Sequence, residues 1–558
     1  MNALRRAFLA ASCALASACS SLHSYTNDPL GPPPAAPQTS RASLAVSAER
    51  GNPKVLMMLA LSGGGSRAAY FSAEVMLRLQ TVFPERDLLR EVDVLSSVSG
   101  GSLAAAYYAI SKDARIEDAA LAAAVAPPPP APPLAPGKLR REGDSLACSG
   151  PLSSAEEAAL RERLAEADRA RDPAYAARRV ADLCRQAAVP SNRPWNEAAV
   201  RDLMTRDYVQ RWIGNWFWPT NIFNYWFTAF DRSDLMAQTL ADNLYDVAIS
   251  GRDLSFADLN PERPYLIINS TNATGGSRDG DPFPFGAVFT FTAEDFREHL
   301  NSDVSSYSVA RAVMASASFP VVFANMTLRD YRAPPGGEQR YVHVFDGGNS
   351  DNLGLATLRR VLLKAALEGR IAKDDPIVVI SIDAFTRPAG TPSSKADSRD
   401  DYFSFFLDTN LNSAIDSLLQ ANRENNLEDF RDEATAWAEC AEMSGDAKRL
   451  CEDLKKRLVF YHIGFDDVGK AMLDELDKNG NPAKVPLTER LDRIPTTLKI
   501  SGPDQRAIDA AVDAIVRRDN PCLLAIRDIV SGAVTGTDDA RRICSDREPQ
   551  PKAPRRKR

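Results

Sequence analysis

Residues 55–108 restrict the fold more than any other part of the chain. An apolar run, Val55-Leu56-Met57-Met58-Leu59-Ala60-Leu61, enters Ser62-Gly63-Gly64-Gly65-Ser66-Arg67, and helical spacing follows over 68–82. A second apolar run, Val92-Asp93-Val94-Leu95-Ser96-Ser97-Val98, breaks at Ser99-Gly100-Gly101-Ser102 into another helical segment over 103–110. Two short apolar strands, each followed at once by a helix, make a β-turn-α-β-turn-α pattern of the α/β class. In such folds ligands bind outside the carboxyl ends of the strands, so the two strand-to-helix turns are where chemistry is expected.

The second turn reads as a nucleophile elbow. A serine at a sharp strand-to-helix turn is lifted above the sheet, and small neighbours are needed because the backbone there is crowded. Gly100 and Gly101 follow Ser99, but Ser97 stands where the usual pattern has glycine. The Gly100 N–H, at the start of a helix, is well placed to face a developing oxyanion. At the first turn, Gly63, Gly64 and Gly65 let backbone N–H groups converge, and the following helix dipole adds positive potential. A plain tight turn is the structural alternative. A dinucleotide fingerprint is a rival, since Gly63-x-Gly65-x-x-Ala68 follows a strand. That reading wants an acidic residue at the end of the next strand, and Ser97-Val98-Ser99-Gly100-Gly101 stands there instead.

With Asp346-Gly347-Gly348 far downstream, these motifs resemble the patatin-like phospholipase family over roughly residues 54–385. The resemblance implies a three-layer α/β/α sandwich around a mainly parallel central sheet, and lipid acyl hydrolysis by a Ser–Asp dyad. It implies Ser99 as nucleophile, Asp346 as its base, and Gly63, Gly64, Gly65 and Arg67 as the oxyanion loop. Phospholipid or another acyl lipid is then the substrate, and no metal or organic cofactor is required. Departures from the family pattern are Ser97 for Gly, Ser62 for the frequent acidic residue, and Ala68 for the Gly after Arg67. Arg67 has two readings: it orients the loop or meets a phosphate headgroup. Acyl transfer to an alcohol by the same dyad, and a non-catalytic lipid-binding envelope protein, are the alternative functions.

The run Tyr341-Val342-His343-Val344-Phe345 is a strand that delivers Asp346 at its carboxyl end. Alone, Asp-Gly would read as an ordinary turn. A histidine-containing triad is the competing arrangement. The chain has four histidines, His23, His299, His343 and His462. Ser99…Asp346…His462 would have the chain order of α/β-hydrolases, but nothing around His462 marks a catalytic loop. Ser316 and Ser318 end a small-residue helix over 308–318 and lack the strand–turn–glycine context, so they read as packing residues.

The N-terminus has Arg5 and Arg6 before an apolar run over 7–16 that is too short to span a bilayer as a permanent helix. Ala16-Ser17-Ala18-Cys19 resembles a lipoprotein box, with Cys19 lipidated after cleavage. This predicts an exported protein, either an outer-membrane lipoprotein or a soluble periplasmic or secreted one. Residues 20–51 then form a proline-rich flexible tether. The catalytic domain spans 52–390 with an insertion at about 112–235, and a mainly helical region, 391–545, packs on it. A basic tail, 546–558, reads as disordered. Of eight cysteines, six lie beyond the signal-like segment and fall into local pairs, 148–184, 440–451 and 522–544. Fifteen pairings are possible, of which this is the simplest. A net charge of −7 argues against nucleic acid as the main partner. The sequence leaves the oligomeric state open.

Four of the six tryptophans, Trp212, Trp216, Trp218 and Trp226, fall in one short stretch. Aromatics this dense fit a lid, an acyl-chain groove or contact with a membrane surface; a packed internal helix pair is the alternative. Strands are also expected at 265–270, 287–291, 376–383 and 458–465, and helices at 349–367, 402–438, 505–516 and 522–534. Asp383 reads as an ordinary strand-end carboxylate.

Overall fold

The structure is a computed structural model that describes residues 27–31 and 55–545, apart from 128–132, 136, 168–171, 192, 246–251, 276–282, 321, 334–335, 373, 387–408, 432–436 and 477–479. The signal-like segment with Cys19, most of the expected tether, with His23, the start of the helix expected over 402–438 and the basic tail lie outside the described residues.

The central sheet has eight strands: β1 (Leu56–Leu61), β2 (Val94–Val98), β3 (Tyr265–Asn272), β4 (Val288–Thr290), β5 (Met326–Asp330), β6 (Arg340–Asp346), β7 (Ile377–Asp383) and β8 (Leu458–Gly464). The spatial order is β5-β6-β3-β2-β1-β7-β8, with β4 paired to β3. β3, β2, β1, β7 and β8 run parallel, and β4, β5 and β6 are antiparallel to their neighbours. Every residue of β1 and β7 is buried, which explains their largely apolar sequences: both sheet faces are covered.

Alternate residues feed two separate cores. Met57, Leu59 and Leu61 face one layer, which includes α1 (Gly65–Thr81) and α2 (Gly100–Ile110). Leu56, Met58 and Ala60 face the other, built on α7 (Leu355–Leu367) and α8 (Thr409–Arg431). The result is the α/β/α sandwich expected from the sequence. Between these helices come α3 (Tyr208–Trp216), α4 (Pro219–Phe227), α5 (Arg232–Asn243) and α6 (Val309–Ser316).

Several details differ from expectation. The helix expected over 349–367 is split, because Gly354 adopts φ 71° between a short turn at Gly348–Asp351 and α7. Part of the expected tether is fixed: Asp28–Pro29 pairs with Ser302–Asp303, and buried Asn27 donates to Arg329 O. The C-terminal region supplies β8, whose Val459 and Ile463 sit in the same core as α1 and α2, so it is part of the sandwich. The insertion builds its own small core beside a three-stranded sheet (Ile116–Glu117, Leu139–Glu142 and Ser145–Cys148). All three local disulfides form, Cys148–Cys184, Cys440–Cys451 and Cys522–Cys544.

Candidate active site

Ser99 occupies the turn between β2 and α2 with φ 48° and ψ −121°, one of two non-glycine residues at positive φ among those described. Such a conformation is strained and persists only where its surroundings fix it. Here the glycines do so by allowing close backbone approach. A Cβ on Gly100 would lie 2.0 Å from Gly65 O, and one on Gly101 would lie 2.6 Å from Ser62 O. The two strand-to-helix turns are therefore packed backbone to backbone. Ser97 fits the glycine position because its Oγ donates to Ile267 O at 3.1 Å and accepts from Ser102 Oγ.

Asp346 arrives from the opposite direction. Ser270 pairs with Phe289 of β4 and Asp346 of β6, while Asn269 pairs with Thr290 of β4 and Val98 of β2. A strand has only two edges, so β2 and β6 share one edge of β3 and meet end to end. Ser99 and Asp346 lie at that junction. Ser99 Oγ donates to Asp346 Oδ2 at 2.8 Å, and Gly348 N–H donates to Oδ1 at 2.8 Å. Both residues are buried. Burial pushes the Asp346 carboxyl up to about 6, against the opposing pull of the Gly348 and Ser99 hydrogen bonds. Gly347 is required here, since a Cβ would stand 2.4 Å from Asn269 O.

Ser316, read from the sequence as a packing residue, does more. Its Oγ accepts the Ser99 N–H at 2.8 Å, donates to Asn269 O at 2.5 Å and lies 3.0 Å from Ser102 Oγ. Its carbonyl accepts the Gly347 N–H at 3.1 Å. One residue at the end of α6 thus ties the Ser99 turn to the Asp346 turn. The available signal was a small-residue helix ending in Ser-Ala-Ser; nothing local said which backbone it would meet.

The glycine loop borders this pair. Gly64 has φ 139° and Gly65 φ 61°, conformations open to glycine. Gly63 donates its N–H to Asn352 O at 3.0 Å, so that group is already engaged. Ser66 N–H donates to Thr497 O at 2.8 Å. Arg67 is buried, with Nε donating to Ala384 O at 2.9 Å and Nη1 to Ile494 O at 2.6 Å. These contacts match the loop-orienting reading of Arg67 and draw its guanidinium away from solvent. Ser62 Oγ accepts from Ala384 N–H at 2.9 Å, which fastens the loop to the end of β7 as well.

The histidines fall elsewhere. His343 contacts Thr327 Oγ1, and His299 stacks on Phe283. His462 Nε2 lies 3.0 Å from Asp383 Oδ2, on β8, which β1 and β7 separate from β2. Asp383 is more than a bare strand end. Burial alone would raise its carboxyl; Arg423, at 2.6 Å, and His462 reverse that and hold it below the usual range. The cluster secures the end of β7, one residue before the Ala384 carbonyl that receives Arg67.

The aromatic stretch forms two short helices, α3 and α4. Trp212 packs against Phe323, with ring centroids 5.5 Å apart, and Trp216 against Tyr225 at 4.8 Å. Trp218 and Trp226 are exposed, as are Phe217, Phe223 and Phe227. An internal helix pair is therefore not what these residues make. No helix among the described residues is long and apolar enough to cross a membrane. Three disulfides fit an oxidising compartment.

No curated protein matches the chain. Among solved structures, VipD from Legionella pneumophila is 14% identical with a TM-score of 0.26; the match covers 86% of this chain and 68% of VipD. Human GIVD cytosolic phospholipase A2 is 11% identical with a TM-score of 0.36, over 88% of this chain and 63% of that one. The patatin-like phospholipase model matches residues 59–359, more than half of the chain and including both Ser99 and Asp346, so this protein belongs to the patatin-like phospholipase family of lipid acyl hydrolases.

Proposed function

We propose that the chain hydrolyses carboxylic esters of phospholipids or lysophospholipids with Ser99 as nucleophile and Asp346 as general base. The observation that carries this is the 2.8 Å hydrogen bond from Ser99 Oγ to a buried carboxylate, at a strained turn packed against a glycine loop. Asp346 accepts the Ser99 proton as Oγ attacks the ester carbonyl. The N–H groups of Gly64, Gly65 and Gly100 hold the tetrahedral oxyanion; removing one such donor typically lowers the rate by about 10²–10³. The proton passes to the departing alcohol oxygen and an acyl–Ser99 ester remains. Water then gives its proton to Asp346, attacks the acyl carbon and releases the fatty acid as the proton returns to Ser99. A carboxyl raised to about 6 suits a base working near neutral pH.

Export, with lipidation at Cys19, completes the reading; the three disulfides support an oxidising destination, and the mass of the mature N-terminus tests the lipid. A fluorophosphonate probe tests the chemistry. The intact protein should gain one adduct on Ser99, and Ser99→Ala none. A panel of phospholipids and lysophospholipids, with products identified by mass, then fixes the acyl position and separates hydrolysis from transfer to an added alcohol. A protein that neither labels nor releases fatty acid would overturn the proposal.

A further inference from the structure

Residues 212–230 contain no charged side chain, and they hold nine of the chain's large aromatic residues. They fold as α3 and α4, closed on each other by the Trp216–Tyr225 ring contact and by Asn221 Nδ2 donating to Asn215 O at 2.9 Å. The outward surface is apolar: Phe217 is 72% exposed, Trp218 64% and Trp226 73%. Polar groups turn inward. Asn215 Nδ2 donates to Thr239 Oγ1, Trp212 Nε1 to Arg232 O and Thr228 Oγ1 to Asn224 O. Two backbone donors of the connecting turn are bonded internally, Phe217 N–H to Gly214 O and Trp218 N–H to Asn215 O. Charges resume at Arg211 on one side and Asp231 and Arg232 on the other.

We propose that α3 and α4 form an interfacial anchor that lies in the headgroup region of a phospholipid bilayer, with Phe217, Trp218, Phe223 and Trp226 inserted. An uncharged, aromatic tip whose turn donors at Phe217 and Trp218 are already bonded suits the headgroup layer of a bilayer, where water and headgroups still serve the remaining polar groups. The indole N–H groups of Trp218 and Trp226 have no hydrogen-bond partner among the described residues. A dry interface with a second copy would bury them unpaired, whereas a wet headgroup layer supplies acceptors. The anchor is also keyed to the site. Trp212 packs on Phe323, Ser233 Oγ of α5 donates to Ala324 O, and Asp234 pairs with Arg311 of α6 at 2.5 Å. α6 ends in Ser316, which holds the Ser99 turn. Docking through this hairpin therefore fixes the enzyme's active-site elements relative to the lipid surface. The purpose of the anchor rests on the lipid hydrolase reading; the binding does not.

The test uses Ser99→Ala protein, so binding is read without turnover. It should co-sediment with phosphatidylcholine vesicles, and its tryptophan emission should shift to the blue. Because the tip carries no charge, raising salt from about 0.1 M to about 1 M should change partitioning less than about twofold. Adding Phe217→Ser, Trp218→Ser and Trp226→Ser together should lower partitioning by about tenfold or more, with an unchanged melting curve, since these side chains are exposed. Equal partitioning of the two proteins would overturn the proposal. So would a Ser99→Ala protein that sediments as a dimer and that the triple change turns into a monomer, since the patch would then be an interface between copies. An intact protein, with Ser99 present, that binds the vesicles but releases no fatty acid from them would reject the proposed activity and leave the anchor standing.

Discussion

Ser99 and Asp346 face each other because their strands, β2 and β6, meet head to head on one edge of β3, where Val98 pairs with Asn269 and Asp346 with Ser270. One step of register separates the two pairings. A slip of a single residue in β6 would turn the carboxylate to the other sheet face. The Ser99–Asp346 pair is thus placed by backbone hydrogen bonds, with the Ser316 hydroxyl as a cross-tie.

Removing either member of the pair should stop the chemistry. Ser99→Ala and Asp346→Asn should each lower fatty-acid release by about 10⁴-fold or more. Asp346 must be ionised to accept a proton, so in the intact enzyme kcat/KM should rise with pH through about 6 and level off above it. A profile flat from about pH 5 to about pH 8 would argue for a different base.

The same carboxyl affects stability in the opposite sense. Its value in the folded protein is raised from an ordinary 3.8 to about 6. Between those values the folded chain holds a proton that the unfolded chain has released. This stabilising contribution is complete below the unfolded value and is lost as pH rises through about 6. At pH 8 the buried charge costs up to about 3 kcal/mol. Asp346→Asn should therefore melt at a higher temperature than the native protein at pH 8, with the difference closing by about pH 4. Calorimetry at the two pH values checks this.

Ser316→Ala would leave the Ser99 N–H buried without its acceptor, at a cost of about 1–3 kcal/mol. Turnover of a soluble ester should fall about tenfold with KM little changed, because the nucleophile is displaced while the substrate's surroundings remain. The rate of fluorophosphonate labelling should fall in parallel. Ser316→Thr keeps the hydroxyl and should recover most of the loss. Full activity in the alanine variant would show that the turn holds without its cross-tie.

Arg67→Met would strip donors from two carbonyls, Ala384 O and Ile494 O. The free energy of unfolding should drop by about 2–4 kcal/mol, and turnover by about 10²-fold as the glycine loop loosens. Arg67→Lys should restore little, since an ammonium lacks the planar fork that reaches both oxygens. If Arg67→Met raised KM for charged headgroups and left neutral esters unaffected, the headgroup reading of this residue would return.

How much of this could be read from the chain follows from the range of each interaction. The elbow at Ser99 and the glycine loop were legible because the need for small residues is local: Gly100 and Gly101 lie beside the serine they serve. Asp346 was legible as a strand-end carboxylate with two glycines; its pairing with Ser99 came from the family resemblance alone, since register across β3 has no sequence signature. The disulfides followed sequence proximity. Ser316 was missed because a serine at a helix end looks the same whether it packs or holds another turn. The anchors of Arg67 lie at positions 384 and 494, beyond any spacing argument. The hairpin's aromatic density was clear, but density does not say which face another element covers.

The glycine loop stands near the front of the chain, yet it leans on Ile494 and Thr497 through Arg67 and Ser66. A ribosome would have to add more than four hundred residues after the loop before those two carbonyls exist. Until then the serine can be present while the wall behind it is not. A chain cut before residue 494 would keep Ser99 but lose the carbonyls that receive Arg67 Nη1 and the Ser66 N–H, so residues more than four hundred positions downstream must be in place before the loop beside the serine is set.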